Sequence, residues 1–488
     1  MFSSLRPLLL AFIIAPLAVH ASEAVRTQAP DSVQKALRAN KLPPNALSLV
    51  MIPLTGPGQV TRVNADVPLN PASTMKLVTT YAALELLGPH HQWRTEFYGD
   101  GPLRDGTLHG NIYLKGGGDP KLNMEKLWLL LRDLRANGVT TISGDLVLDR
   151  SHFQMPELPA FNDDGGDANK PFLVDPDPLL VNLKAVRFIA RADNGKVHLA
   201  VEPPIERIRI DNRVTALKGN GQCAAWPDVR YHPIEEYDGI TVVASGKLAE
   251  GCSAQTYLSL LSHEQYAAGA VRAIWKELGG QILGQDRLGN VPKDASLLAR
   301  AFSPDLAEVI RDINKYSSNP MARQLFLSVG AAYRQPGDAN DAAAAARVIN
   351  KWLADKGIRS GSLVMENGSG LSRNERISAG DMAAILQAAW RSPYAAEFAA
   401  SLPLPALDGT LRRRLRNTEL VGQGHLKTGT LNNVRALAGF SRDRHGDTWA
   451  VVAIINHSQP WGASAVLDQV LIDLYRQPAG KATATARR

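Results

Sequence analysis

Ser73 and Lys76 stand three residues apart in Pro71-Ala72-Ser73-Thr74-Met75-Lys76-Leu77. On a helix that spacing puts two side chains on one face. There an amine can take a hydroxyl proton, leaving a nucleophilic oxygen whose charge the helix N-terminus favours. The pattern is cheap by itself, since Ser32-Val33-Gln34-Lys35 is a second match. Two downstream patterns separate them. In Ser317-Ser318-Asn319, Ser317 can relay a proton to a leaving amine, and Asn319 can hold Lys76 and bond a substrate amide. In Lys427-Thr428-Gly429-Thr430, Lys427 offers a positive charge to a carboxylate, and Gly429 lets a substrate backbone come close to the strand. The N–H groups of Ser73 and Thr430 can then form an oxyanion hole.

Each fragment has an ordinary reading. Asn319 stands where a helix N-cap is wanted, Ser372-Arg373-Asn374 repeats the Ser-x-Asn pattern, and a lysine on an edge strand is often only edge protection. The order and the context are less easily dismissed. Ser73 lies where a loop turns into an apolar helix, Ser317 lies between two helices, and Lys427 lies on a strand that opens a C-terminal meander. The Ser32 match falls instead on a short surface helix whose solvated face carries Lys35 and Arg38.

The elements around these residues come from both ends of the chain. Residues 46–53 and 59–64 read as a hairpin leading into the helix after Ser73. Residues 425–431, 434–440 and 449–456 read as three antiparallel strands, with a closing helix over 464–475. Between lie helices over 303–315, 321–332, 339–356 and 379–391. Residues 91–290 have another texture, with short strand runs between Gly, Pro and Asp turns and one clear helix over 124–136. The expected architecture is an α/β (α+β) domain from residues 22–90 and 291–478. It is interrupted by a β-rich inserted region over 91–290 that divides into two subdomains.

The 488-residue chain is 45% hydrophobic and 21% charged, with a formal charge of +7. That basic balance favours anionic surfaces. At the N-terminus, Arg6, an apolar run over 8–19 and Val19-His20-Ala21 compose a secretory signal peptide over 1–21. Export to the periplasm makes nucleic acid an unsuitable partner and leaves at most peripheral membrane contact. Residues 479–488 read as a disordered basic tail. The two cysteines, Cys223 and Cys252, can form a disulfide worth ~2–4 kcal/mol or remain buried thiols. They cannot cage zinc alone, and no cofactor or metal is expected.

With these motifs assembled, the chain resembles the low-molecular-mass class C penicillin-binding proteins, the D-alanyl-D-alanine carboxypeptidase/endopeptidase family. The resemblance rests on residues 71–76, 314–319, 368–372, 408–411 and 427–433, and on the large insertion after the first motif. It implies a serine β-lactamase/penicillin-binding transpeptidase-like domain with an antiparallel five-stranded sheet. It also implies an acyl-Ser73 intermediate, peptidoglycan stem peptides as substrates and β-lactams as covalent inhibitors. Catalytic roles fall to Ser73, Lys76, Ser317, Asn319 and Lys427. Substrate contacts fall to Thr428, Gly429 and Thr430, and, from the inserted region, to Asp149 and Phe153. Two residues depart from the family pattern: Ser318 replaces an Asp or Asn, and Asn367 stands where an Asp usually precedes Gly-Ser-Gly.

Competing chemistries fit less well. There is no Gly-x-Ser-x-Gly elbow, and His263-Glu264-Gln265-Tyr266-Ala267 lacks the second histidine of a zinc peptidase. A β-lactamase-like hydrolase is the nearer alternative, but no obvious base for a deacylating water accompanies the set. A non-catalytic β-lactam sensor would have no use for Lys76.

Overall fold

The computed structural model describes residues 25–157, 169–218, 222–225, 227–237, 239–358 and 361–478. The expected signal peptide and basic tail lie outside the described residues. Five strands form one antiparallel sheet: β1 (Leu47–Pro53), β2 (Thr61–Val63), β3 (Gly424–Leu431), β4 (Val434–Arg442) and β5 (Thr448–Asn456). Their order is β2-β1-β5-β4-β3, so the N-terminal hairpin pairs with the last strand and the Lys427 strand lies at an edge. Ten helices are numbered here: α1 (Asp31–Ala39), α2 (Met75–Leu87), α3 (Met124–Ala136), α4 (His263–Glu277), α5 (Leu306–Tyr316), α6 (Asn319–Ala332), α7 (Asp341–Asp355), α8 (Ala379–Arg391), α9 (Ala395–Ser401) and α10 (Ala463–Tyr475).

Alternation along the strands explains why the sheet is covered on both faces. Leu47, Leu49, Met51, Leu437, Trp449, Val451 and Ile455 pack toward α1 and α10. Val50, Ala436, Ala438, Phe440, Val452 and Ile454 join the core formed with α2, α5, α6, α8 and α9. In β3, Leu426 belongs to the first layer. Lys427 pairs with Ala438 and Gly429 with Ala436, which turns both toward the helical layer where α2 begins. Helix α2 is buried at every position from Met75 to Leu84. A helix apolar all round belongs at the centre of a layer rather than on its surface. On α1, by contrast, Lys35 and Arg38 are exposed, and the Ser32 hydroxyl donates to Asp473 at 2.6 Å. The second Ser-x-x-Lys match is therefore a surface contact between α1 and α10.

The inserted region is built on two further five- and four-stranded sheets and two three-stranded sheets. Its largest sheet pairs Arg94–Gly99 with Ile112–Gly116 and with Ser296–Phe302. The strand Ser296–Phe302, beyond the expected limit at 290, therefore returns the chain beside its point of entry. Helix α3 has the bounds the sequence suggests and packs with α4 into a separate core. The run 107–115 is two strands rather than one, broken at 109–111. Cys223 and Cys252 form a disulfide beside a small cluster of Ala190, Ala192, Val197 and Leu248. Among the described residues no helix is long and apolar enough to cross a membrane.

Helix α6, which carries Asn319 at its first turn, is packed tightly against α7. A Cβ added to Gly330 would lie 1.8 Å from the Asp341 carbonyl oxygen, a backbone atom that cannot swing away. Gly330→Ala is expected to destabilise the protein by about 1–3 kcal/mol through overpacking. Thermal unfolding followed by circular dichroism checks this; an unchanged midpoint would mean that α6 and α7 can separate freely.

Candidate active site

The loop before α2 is held in an unusual shape. Ala72 has a positive φ of 46°, and its N–H donates to the Asn70 side chain at 2.9 Å. Residues 72–74 form a single 3₁₀ turn, so Ser73 lies in the turn leading into α2 and remains partly exposed. Lys76 follows at the first turn with no exposure to solvent. Its Nζ lies 3.0 Å from Ser73 Oγ, 2.6 Å from Asn319 Oδ1 and 2.5 Å from the Ser369 carbonyl oxygen. A neutral amine has two N–H donors and one lone pair. Asn319 and Ser369 can accept the two donors, leaving the lone pair for the Ser73 hydroxyl proton. Burial, then the charge of Lys427, hold the Lys76 pKa well below the ordinary lysine value, and Glu375 opposes them.

Ser317 ends α5 in the left-handed region, at φ 58° and ψ 36°. A non-glycine residue there is strained, and such residues gather at functional sites. Its Oγ accepts from Lys427 Nζ at 2.8 Å, and the same ammonium donates to the Thr428 carbonyl at 2.8 Å. Lys427 is fully buried, and that burial lowers its pKa to about 7. Ser318, rather than Asn319, caps α6, its Oγ lying 3.5 Å from the Met321 N–H. The Asn319 side chain is thereby free to reach Lys76.

The strand β3 passes close to Ser73. A Cβ at Gly429 would sit 2.6 Å from the Pro71 carbonyl oxygen and 3.1 Å from the Ser73 nitrogen. Glycine at 429 is what lets the strand and the Ser73 backbone approach each other. Thr428 is partly exposed, with its hydroxyl 2.8 Å from that of Thr410, and Thr430 is exposed. The residues 314–315 and 408–411 form a support beneath. Lys315 pairs with Asp408 at 2.7 Å, and the Asn314 side chain donates to Ser401 Oγ at 2.9 Å.

The structure thus brings together Ser73, Lys76, Asn319, Ser317, Lys427 and Gly429. It does not bring Asp149 and Phe153 to them by any hydrogen bond or ring contact among the described residues. Asp149 is 2% exposed; its carboxylate accepts from the Ser151 N–H and hydroxyl and from the Val291 N–H, so it holds a turn of the inserted region. Phe153 is also buried, against the His152 ring and beneath Gly118, where an added Cβ would meet its ring at 2.4 Å. The segment that does reach the site is 172–177. Asn319 Nδ2 donates to the Phe172 carbonyl at 3.3 Å, Arg323 pairs with Asp175 at 2.8 Å, and Gln324 exchanges hydrogen bonds with the Asp177 backbone. Sequence reasoning also missed Ser369 and Glu375. Ser369 acts through its backbone carbonyl, and the Glu375 carboxylate through the backbone N–H groups of Glu366, Asn367 and Gly368, so neither pairs with a side chain that the sequence could have signalled.

A family model described as the D-Ala-D-Ala carboxypeptidase 3 (S13) family matches residues 30–471. The D-alanyl-D-alanine carboxypeptidase of Actinomadura sp. (strain R39) is 30% identical over 436 residues, which cover 86% of this chain and 79% of that protein. The D-alanyl-D-alanine carboxypeptidase DacB of Haemophilus influenzae is 28% identical over 404 residues, 79% of this chain and 80% of its own length. In fold, the chain is similar to the crystal structure of penicillin-binding protein 4 from H. influenzae, with a TM-score of 0.73 at 24% identity, covering 91% of this chain and 99% of that one. It is also similar to the Bd3459 peptidoglycan endopeptidase of Bdellovibrio bacteriovorus, with a TM-score of 0.51 at 15% identity, covering 90% and 95%.

The two buried lysines have opposite requirements. Proton abstraction needs Lys76 neutral, which higher pH favours; gripping a carboxylate needs Lys427 protonated, which lower pH favours. For a substrate with a free carboxylate, kcat/KM is expected to fall as pH rises through about 7, where Lys427 loses its proton. Lys427→Gln should abolish that alkaline limb and raise KM by roughly 10–100-fold, the worth of a charge-assisted hydrogen bond. A limb retained in the variant would assign it to another group.

Proposed function

Because the chain belongs to the D-Ala-D-Ala carboxypeptidase 3 (S13) family, we propose that Ser73 is its acylated nucleophile, with Lys76 as base. On this reading the chain hydrolyses the D-alanyl-D-alanine bond of peptidoglycan stem peptides and the D-alanyl-diaminopimelate cross-link. One observation carries the assignment: a fully buried Lys76 amine lies 3.0 Å from a partly exposed serine oxygen, with two acceptors placed for its remaining N–H groups.

The steps follow from the placements. Lys76 takes the Ser73 proton as Oγ attacks the carbonyl carbon of the penultimate D-alanine. The oxyanion of the tetrahedral intermediate accepts from the Ser73 and Thr430 N–H groups, each donor worth roughly 2.7–4 kcal/mol in acyl-transfer sites. The carbon–nitrogen bond then breaks, and the proton that Lys76 took passes by way of Ser317, which Lys427 backs at 2.8 Å, to the leaving amine, so that Lys76 is neutral again. Lys427, Thr428 and Thr430 hold the substrate's terminal carboxylate, Gly429 makes room for its backbone, and Asn319 binds its amide. Water then hydrolyses the acyl-Ser73 ester. A β-lactam enters the same route with its own amide carbonyl. The crystal structures similar in fold include H. influenzae penicillin-binding protein 4 complexed with a β-lactam and a penicillin G-acylated Bd3459.

The reading places the protein in the periplasm, where the Cys223–Cys252 disulfide would persist. It assigns residues 22–90 and 291–478 to the peptidase domain and 91–290 to an inserted region, whose last strand, by its pairing with Arg94–Gly99, extends the insertion to Phe302.

Purified protein incubated with labelled penicillin should form a stable adduct that Ser73→Ala abolishes. With a disaccharide pentapeptide it should release D-alanine, and with the cross-linked dimer it should release monomers. Equal labelling of Ser73→Ala would overturn the nucleophile assignment, and rapid turnover of the adduct would make the protein a β-lactamase-like hydrolase.

A further inference from the structure

Beneath the reactive pair lies a carboxylate that the steps above do not use. Glu375 has no exposure to solvent. Its Oε1 accepts from three successive backbone N–H groups, Glu366 at 3.2 Å, Asn367 at 3.0 Å and Gly368 at 2.9 Å. Its Oε2 is buried without a hydrogen-bond partner. Burying a carboxylate is costly unless something nearby uses the charge.

The loop that Glu375 gathers is the one that touches the reactive helix. The Ser369 carbonyl accepts from Lys76 Nζ at 2.5 Å, and the Gly368 carbonyl accepts from the Thr79 hydroxyl at 2.6 Å, one turn further along α2. The loop backbone is pressed against the nucleophile's own: at Gly370, with φ +80°, an added Cβ would lie 2.7 Å from the Ser73 nitrogen. Asn367 carries no charge; its Oδ1 accepts from the Ser369 N–H at 2.9 Å and hydroxyl at 2.7 Å, closing the turn on itself. Three ionisable groups interact with Glu375 or with Lys76 here: Lys76 from α2, Arg323 from α6 and Lys427 from β3. Glu375 is the anion among them.

We propose that Glu375 is a positioning residue for the Ser73–Lys76 pair, its carboxylate shaping the 366–370 loop so that the Ser369 carbonyl meets Lys76, and its charge favouring the ammonium that Lys76 becomes on taking the serine proton. The balance of the step is simple. The Ser73 O–H bond breaks, the Lys76 N–H bond forms, and the new cation arises where the charge of Glu375 acts on it against that of Lys427. Burial raises the Glu375 pKa above the ordinary carboxylate value, against the opposing pull of the loop N–H groups; Glu375 in turn raises that of Lys76. Glu375 thus supplies, toward Lys76 in the first turn of α2, a charge that position 367 lacks.

The inference rests on the acylation reading above, and its test separates the two. Acylation rates with a chromogenic β-lactam are measured from pH 5 to 10 for the wild type, Glu375→Gln and the double variant Asn367→Asp/Glu375→Gln. Glutamine can still accept the loop N–H bonds but carries no charge. Without the anion, Lys76 loses its proton more readily, so the acid limb is expected to move down by roughly one pH unit. The plateau is expected to fall about tenfold as the base weakens. The double variant, with a carboxylate returned to the loop, is expected to move the limb back toward its wild-type position. A Glu375→Gln profile superimposable on the wild type overturns the proposal. Should that variant not fold, the single variant Asn367→Asp decides: a second carboxylate in the loop is expected to move the acid limb up by several tenths of a unit, and an unmoved limb overturns the proposal. A wild type that penicillin does not acylate at Ser73 would instead refute the acylation reading itself.

Discussion

The arrangement depends on one constraint, a lysine amine with no water to solvate it. Lys76 is fully buried, and the cost of desolvating an ammonium is several kcal/mol. Burial favours the neutral form, but a neutral amine acts as a base only if its lone pair points at the proton it is to take. The two N–H groups must therefore be engaged elsewhere. Asn319 and the Ser369 carbonyl do this from two directions. Ser73 itself stays partly exposed, so its oxygen is open to an incoming group while the Lys76 amine stays dry. In a low-dielectric pocket each of these contacts counts for more than it would in water.

Holding that pocket together requires backbone that would relax if left alone. Ala72 and Ser317 both adopt positive φ without being glycine. Each sits beside a reactive hydroxyl, and each is fixed by its surroundings. The Asn70 side chain accepts from the Ala72 N–H, and Lys427 donates to Ser317 Oγ. Gly370 and Gly429 then allow two further backbones to approach Ser73, positions where any Cβ would collide with residues 71–73. Four separate segments of chain meet within one side chain's reach, and α2, buried from Met75 to Leu84, gives them a rigid centre to pack against.

Much of this was legible in residue order. Ser-x-x-Lys before an apolar run, Ser-x-Asn between helices and Lys-Thr-Gly on a strand are patterns of side chains, and the structure places them together. The strands 47–53 and 448–456 were legible because burial on both faces leaves a continuous apolar run. Three features were not legible, each for a physical reason. Ser369 meets Lys76 through a carbonyl, which every residue has. Glu375 binds N–H groups, and its position in Asn374-Glu375-Arg376 looks like ordinary surface charge. Asp149 offered the right chemistry within the inserted region, yet its oxygens are taken by the turn it closes. Ser318 shows the converse: as the cap of α6 it takes the ordinary role that Asn319 seemed to fill.

The inserted region raises a last question, how so long an interruption leaves the pocket undisturbed. Its ends are joined to each other before they reach the site. Arg94 pairs with Phe302 in adjacent antiparallel strands, so the chain leaves and re-enters the helical layer at one place. Closing a loop costs little more as the loop grows, and the paired strands fix its ends whatever lies between. The insertion is then free to act as a wall rather than a spacer. Its contacts with α6 run up one side of that helix, Asp177 at Gln324, Asp175 at Arg323 and Phe172 at Asn319. The last of them reaches the same amide whose oxygen holds Lys76. A shift of the 172–177 segment along α6 would therefore act directly on Asn319, which holds the Lys76 amine, and that makes the insertion part of the site's construction and not only a surface beside it.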